Sequence, residues 1–192
     1  MQKKTIGVTF MQIQVTTEDG YLPDAYSKFA NDSEKSGRYP IQSFPFEVTD
    51  LPAGTKYLSW AFIDFDSIPV MGFPWIHWLA ANYPVTQDTV SIPANLAQLA
   101  ANHETDVVND GFVQGENSSY SRYIQEKDSK LKQTYIGPVP PDHDHRYTLM
   151  VIACKEKLPV KAGFFLNELH HLKQDNPAII LADTSVDILA KA

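Results

Sequence analysis

Apolar positions along this chain recur mostly at every second residue or in short unbroken runs, a pattern of strands more than of helices. Ile6, Val8 and Phe10 lie two apart, and then Met11, Ile13 and Val15 lie two apart. Residues 6–15 therefore predict a strand that changes face once, through a bend or bulge. Asp19-Gly20-Tyr21-Leu22-Pro23 predicts a turn with an extended exit, because glycine relieves the φ restriction and a residue before proline is held extended. Residues 24–45 read as irregular. Lys56 to Asp64 is almost wholly apolar, with Tyr57, Leu58, Trp60, Ala61, Phe62 and Ile63 interrupted only by Ser59, as expected of a central strand. The Asp, Pro and Gly content of residues 65–74 forbids a long regular element, and Trp75 to Ala81 resumes as an aromatic-rich strand carrying His77.

Pro93 to Asn102 predicts a short helix, with proline at its start and Leu96 and Leu99 three apart. From His103 to Gln133 the pattern dissolves into polar residues, and the mixed-sign run Glu126 to Lys132 reads as a solvated loop or short surface helix. Tyr147 to Cys154 predicts a buried strand beside the one at 57–63. Ala162 to Lys173 predicts a helix, with Phe165, Leu166, Leu169 and Leu172 at helical spacing, and Val186, Ile188 and Ala190 alternate as a closing strand. Strands outnumber helices and follow one another as in a meander, without internal repeat or linker. The expected architecture is a single domain over residues 1–192, mainly β, an antiparallel β-sandwich with a few peripheral helices.

Composition narrows the classes of function. With 43% hydrophobic and 20% charged residues the chain is globular, not disordered. A formal charge of −7 and no Lys/Arg run longer than two argue against a general nucleic-acid binder. The N-terminal apolar run is broken before any secretory cleavage site, and no stretch approaches the roughly 20 apolar residues of a spanning helix. The single cysteine, Cys154, ends an apolar strand and reads as a buried thiol. These features together lead to the expectation of a cytoplasmic protein without integral membrane association.

Three polar clusters stand beside apolar strands: Asp64-Phe65-Asp66, Trp75-Ile76-His77-Trp78 and Asp142-His143-Asp144-His145-Arg146-Tyr147. Taken singly, each has an ordinary structural reading, as a turn cap, a core histidine or an exposed loop. Their combination points to chemistry. A carboxylate such as Asp64 favours the protonated form of a nearby imidazole, and two imidazoles, His77 and His145, can donate N–H bonds to a phosphate or carboxylate. Gly137-Pro138-Val139-Pro140-Pro141 supplies a stiff wall in which glycine permits close approach to a ligand. The alternative is a metal-dependent or acid/base hydrolase using His77, His143 and His145, since His-x-His on a strand places two imidazoles on one face. No third ligand has a recognisable spacing, and neither a nucleophile elbow nor a Gly-rich phosphate loop is present in the sequence.

Five motifs occur in a shared order: Pro52-Ala53-Gly54-Thr55-Lys56, Asp64-x-Asp66, Trp75-x-His77-Trp78, Gln114-Gly115-x-Asn117 and Gly137-Pro138-x-Pro140-Pro141-x-x-x-His145-Arg146-Tyr147. In that order the chain resembles the phosphatidylethanolamine-binding, or Raf kinase inhibitor-like, family, and Asp19-Gly20-x-Leu22-Pro23 resembles the N-terminal motif of its bacterial branch. The resemblance implies an antiparallel sandwich with a small pocket at one end for phosphate-like anions or a phospholipid head group. Asp64, Trp75, His77, His145 and Tyr147 match the pocket positions, and Gly137 and Pro138 match its wall. It further implies a non-enzymatic binding protein without cofactor or resident metal. It also implies a homodimer, and a pocket whose occupancy modulates an unknown protein partner such as a kinase or protease. The chain departs from the family pattern at Asp64-Phe65-Asp66-Ser67-Ile68-Pro69, where about two residues are added before His77, at Val48 in place of a common tryptophan, and at a surface insertion over 121–133.

Overall fold

The computed structural model describes residues 10–124 and 126–192. The strands are, in chain order, β1 Gln12–Val15, β2 Lys35–Ser36, β3 Tyr39–Pro40, β4 Phe46–Thr49, β5 Tyr57–Asp64, β6 Trp75–Pro84, β7 Val90–Ile92, β8 Val113–Gln114, β9 His145–Cys154 and β10 Ile180–Ala190. The α-helices are α1 Ile68–Met71, α2 Leu96–Ala101 and α3 Leu166–Asp175. Strands β1, β4 and β7 form one sheet in the order β1-β4-β7, and a second sheet has the order β10-β9-β5-β6-β8; β2 and β3 form a small hairpin. All of these pairings are antiparallel.

The apolar run of β5, broken only by the buried Ser59, is explained by burial on both of its faces. Leu58, Trp60 and Phe62 point into the core between the sheets, joined by Phe44, Phe46, Trp78, Leu149 and Val151. Ala61 and Ile63 point the other way, into a second layer closed by Leu158, Phe164 and Leu169. Aromatic rings dominate the first core and meet mostly edge to face, as between Phe46 and Trp60 at 5.4 Å and between Trp60 and Trp78 at 5.0 Å, the arrangement the ring quadrupole favours. The strands at 57–63 and 147–154 are direct neighbours, in register from Tyr57 opposite Cys154 to Asp64 opposite Tyr147. Cys154 is fully buried, and burial pushes its thiol up to about 12.

Several elements differ from their sequence-based bounds. Residues 6–9 of the expected first strand lie outside the described residues; Phe10 is exposed, Met11 buried, and β1 begins at Gln12. The helix expected from Ala162 starts only at Leu166, because Gly163 adopts a left-handed φ of 81° and Phe165 is still extended, its N–H capped by the Glu168 carboxylate at 2.8 Å. The helix expected over 93–102 is confined to Leu96–Ala101. The closing strand is longer than its alternating residues, reaching back to Ile180.

The segment 121–133 is a surface excursion only in part, and residue 125 within it is outside the described set. Leu131 is buried against Tyr39 and Ile136, and the Asn117 amide donates to the carbonyls of Leu131 and Thr134 at 2.6 and 2.8 Å. Its far end is therefore tied into the wall behind β6. Among the described residues no helix is long and apolar enough to cross a membrane.

Candidate functional site

The site forms where β5, β6 and β9 end together. Asp64 is the last residue of β5 and lies opposite both Trp75, the first residue of β6, and Tyr147 of β9. Alternation along β9 places His145 on the same face as Tyr147. In β6 the register slips by one residue, since Phe62 faces Trp78 while Ile63 faces Ile76. His77 is the extra residue of this bulge, which re-aims a side chain that strict alternation would send away from Trp78. Its ring consequently lies against Phe62 and Tyr147, at 5.7 and 5.1 Å.

Each of the two acids after β5 has its own task. The Asp64 carboxylate accepts the backbone N–H of Ser67 at 3.0 Å through one oxygen and the His145 Nδ1–H at 2.8 Å through the other. Asp66 accepts the backbone N–H of Arg146 at 2.8 Å, pinning the start of β9 beside His145. Ser67 staples the loop: its hydroxyl lies 2.8 Å from the Asp64 carbonyl and 2.9 Å from that of Phe73, and accepts the Trp75 N–H at 2.8 Å. Between Ser67 and β6 the chain makes the single-turn α1, ended by Gly72 at a left-handed φ of 82°.

A cleft of about 170 Å³ opens between these elements. Asp64, His77, His145 and Tyr147 make its polar floor, Trp75, Val70 and Met71 one side, and Gly137, Val139 and Pro141 the other, with Arg38 and Tyr39 of the β2–β3 hairpin at the edge. Gly137 donates its N–H to the Pro40 carbonyl at 2.7 Å, and a Cβ there would meet the Tyr26 carbonyl oxygen at 2.5 Å and Pro40 at 2.8 Å. Both neighbours are backbone or ring and cannot swing aside. We expect Gly137→Ala to destabilise the domain by about 1–3 kcal/mol in denaturant unfolding, as overpacking does; a variant as stable as the wild type would show that the wall yields.

The two histidines differ in charge. Burial drives His77 down to about 4, and hydrogen bonding through Nδ1–H to the Ile136 carbonyl at 2.6 Å restores only part of its basicity. It is neutral at pH 7, with Nε2 left as an acceptor facing the cleft. For His145 burial also opposes the charge, but hydrogen bonds and attraction from Asp64 and Asp142 outweigh it, and its basicity is raised. Its Nε2–H donates to Asp142 at 2.9 Å, so the imidazole is clasped by two carboxylates. Burial and the nearby Asp64 carboxylate hold the Tyr147 hydroxyl well above its ordinary range, leaving it a donor.

The sequence profile of the phosphatidylethanolamine-binding protein family matches residues 12–184. The chain belongs to this family. A Bacillus subtilis relative described as uncharacterized, YxkA, is 43% identical over 171 residues, covering 89% of this chain and 94% of its own. Two crystal structures share the fold. One is a putative phosphatidylethanolamine-binding protein homologue, CT736, of Chlamydia trachomatis (TM-score 0.65, 20% identity, 95% of this chain and 98% of that one). The other is Escherichia coli YbcL, described as a new member of the mammalian family (TM-score 0.67, 19% identity, 96% and 99%).

Of the positions that match the family's pocket motifs, Asp64, Trp75, His77, Gly137, His145 and Tyr147 line one cleft in this family member. Pro138 does not line it; it is buried, and Val139 and Pro141 stand in its place. Two expectations are corrected. His77 is not a charged donor, because burial outweighs the nearby carboxylate. Nor do His77, His143 and His145 gather around one point; the close group is Asp142, His143 and His145. Sequence reasoning missed Asp142, Ser67 and Arg38. Asp142 stood in a quoted run of acids and histidines but carried no spacing signal, and Arg38 lay in a stretch read as irregular.

Proposed function

We propose that the cleft binds a phosphoryl group, free or as part of a phosphorylated head group. The observation that carries this reading is the state of His145. Its Nδ1–H is held by the buried Asp64, while its Nε2–H is given to Asp142, a half-exposed side chain on a loop. A phosphate oxygen can replace the Asp142 oxygen as acceptor, and the displaced carboxylate returns to water at small cost. The Tyr147 hydroxyl and the Arg38 guanidinium supply further donors along the floor and edge. Neutral His77 accepts from a protonated phosphate oxygen or from the ammonium of a zwitterionic head group. Val70, Met71, Trp75, Val139 and Pro141 give an apolar flank for the organic part of such a ligand.

Titration calorimetry with inorganic phosphate and, separately, O-phosphoethanolamine at neutral pH tests this and distinguishes the two sources. Arg38→Ala should weaken binding roughly tenfold or more by removing a charged hydrogen bond. Asp142→Ala should tighten it, by up to roughly fivefold, because it removes a competing acceptor of like charge. Unchanged affinity in both variants would place the anion elsewhere.

A further inference from the structure

We propose that Asp142, His143 and His145 form a divalent-cation site at the rim of the cleft, a two-histidine, one-carboxylate site suited to zinc or a similar transition metal. One donor atom from each side chain lies within 4.8 Å of the other two. One oxygen of Asp142 is 2.9 Å from His145 Nε2, and the other is 3.0 Å from His143 Nδ1. Zinc holds nitrogen and oxygen ligands at about 2.0–2.2 Å, so neighbouring ligands of a tetrahedral ion stand about 3.4 Å apart. The two contacts at 2.9 and 3.0 Å open slightly and the wider separations, up to 4.8 Å, close to reach that spacing, through rotations of Asp142 and His143, which are 47% and 64% exposed. The buried His145 stays where it is.

A second, independent feature separates this group from a chance cluster on the surface. The ligand histidine is already oriented: Asp64, buried at the end of β5, takes the Nδ1–H of His145 at 2.8 Å, so that Nε2, on the side of Asp142, is the nitrogen that gives up its proton to an ion. A carboxylate behind a histidine that presents its other nitrogen to the ion is the usual support of a metal-binding imidazole. The charge balance agrees. Asp64 and Asp142 both bear on one imidazole, and a dication in place of the Nε2 proton neutralises both carboxylates. Asp144, in the same run, is not part of the group; its oxygens accept the Tyr21 hydroxyl at 2.9 Å and the Ala192 N–H at 2.8 Å. Two imidazoles and one carboxylate suit Zn²⁺ and its neighbours better than Ca²⁺ or Mg²⁺, which prefer all-oxygen shells. The proposal does not rest on the phosphoryl reading, since metal alone is its probe.

The full chain, without an affinity tag and stripped by a chelator, is titrated with ZnCl₂ in phosphate-free, non-coordinating buffer. One saturable equivalent is expected. His143→Ala and Asp142→Ala, both at exposed positions outside the hydrophobic core, should abolish it, while Asp144→Asn, an equal loss of charge one residue from both histidines, should leave it intact. Asp64→Asn should weaken zinc roughly 10- to 100-fold and shift the visible absorption bands of the cobalt-loaded site, a signature that loss of general stability does not produce. No saturable binding, survival of binding in His143→Ala, or an equal loss in Asp144→Asn overturns the site. Wild-type affinity and cobalt spectrum in Asp64→Asn overturn the positioning role of Asp64. Asp142→Ala also separates this site from phosphoryl binding, because it abolishes the one and strengthens the other.

Discussion

Replacing His145 by alanine is expected to destabilise the protein by about 3–5 kcal/mol, a large share of the stability of any domain this size. The side chains of His145 and Asp64 are 1% and 6% exposed, so water cannot take over when the imidazole is removed. Asp64 would keep the backbone N–H of Ser67 on one oxygen and lose the charged partner of the other, with only the nearby Tyr147 hydroxyl left to face it. The Asp64 charge, neutralised by the imidazolium in the wild type, would be left buried without a cationic partner at the sheet end. The cost belongs to breaking the pair, not to its net worth, and a double-mutant cycle separates the two. Asp64→Asn combined with His145→Ala should recover much of the loss, because no buried charge then lacks a partner. Equilibrium unfolding in urea of the two single variants and the double variant is the measurement. Additive losses would show that the pair is not energetically coupled.

Between neutral pH and about pH 4 the wild type should lose about 3 kcal/mol more stability than a His77→Asn variant. His77 titrates at 6.5 in the unfolded chain and about 4 in the folded one. In that interval the unfolded state binds more protons, so stability rises with pH and falls as acid is added, at about 1.4 kcal/mol for each pH unit separating the two values. Asparagine cannot titrate and keeps an N–H donor near the Ile136 carbonyl, so only the proton linkage is removed. His145 works in the opposite sense. Its raised value gives stability that is fully present below 6.5 and is lost as pH rises through its folded value. Thermal melts of wild type and His77→Asn across pH 4 to 8 should run parallel above 6.5 and diverge below it. Curves parallel throughout would mean that His77 is not held neutral by burial.

In the fold, the sequence was most legible where one physical rule acted alone. The apolar run of β5, interrupted only by Ser59, read as a central strand and the aromatic run of β6 as a strand, because runs of this length bounded by Gly, Pro and Asp suit a sheet better than a helix. The strands β4 and β7 carry no such run. Phe46 and Val48, then Val90 and Ile92, alternate over only three or four residues, and it is the pairing of β4 with β1 on one side and β7 on the other that makes them a sheet. The limits of α3 shifted because a glycine in the left-handed region and an acid three residues past an extended Phe165 decide where a helix starts, whatever the apolar spacing says.

Within the site, residue chemistry alone pointed to Asp64, His77, His145 and the glycine at 137, and the resemblance to the family's ordered motifs added Trp75 and Tyr147; all six line the one cleft. What those residues do to one another was decided by tertiary structure. A bulge, invisible to alternation, turns His77 toward Tyr147, and burial then leaves it neutral. The same burial surrounds His145, yet two carboxylates brought from β5 and from the loop before β9 keep it basic. A sequence states which groups can ionise; the dielectric around each one, and which partners reach it, exist only once the chain has folded.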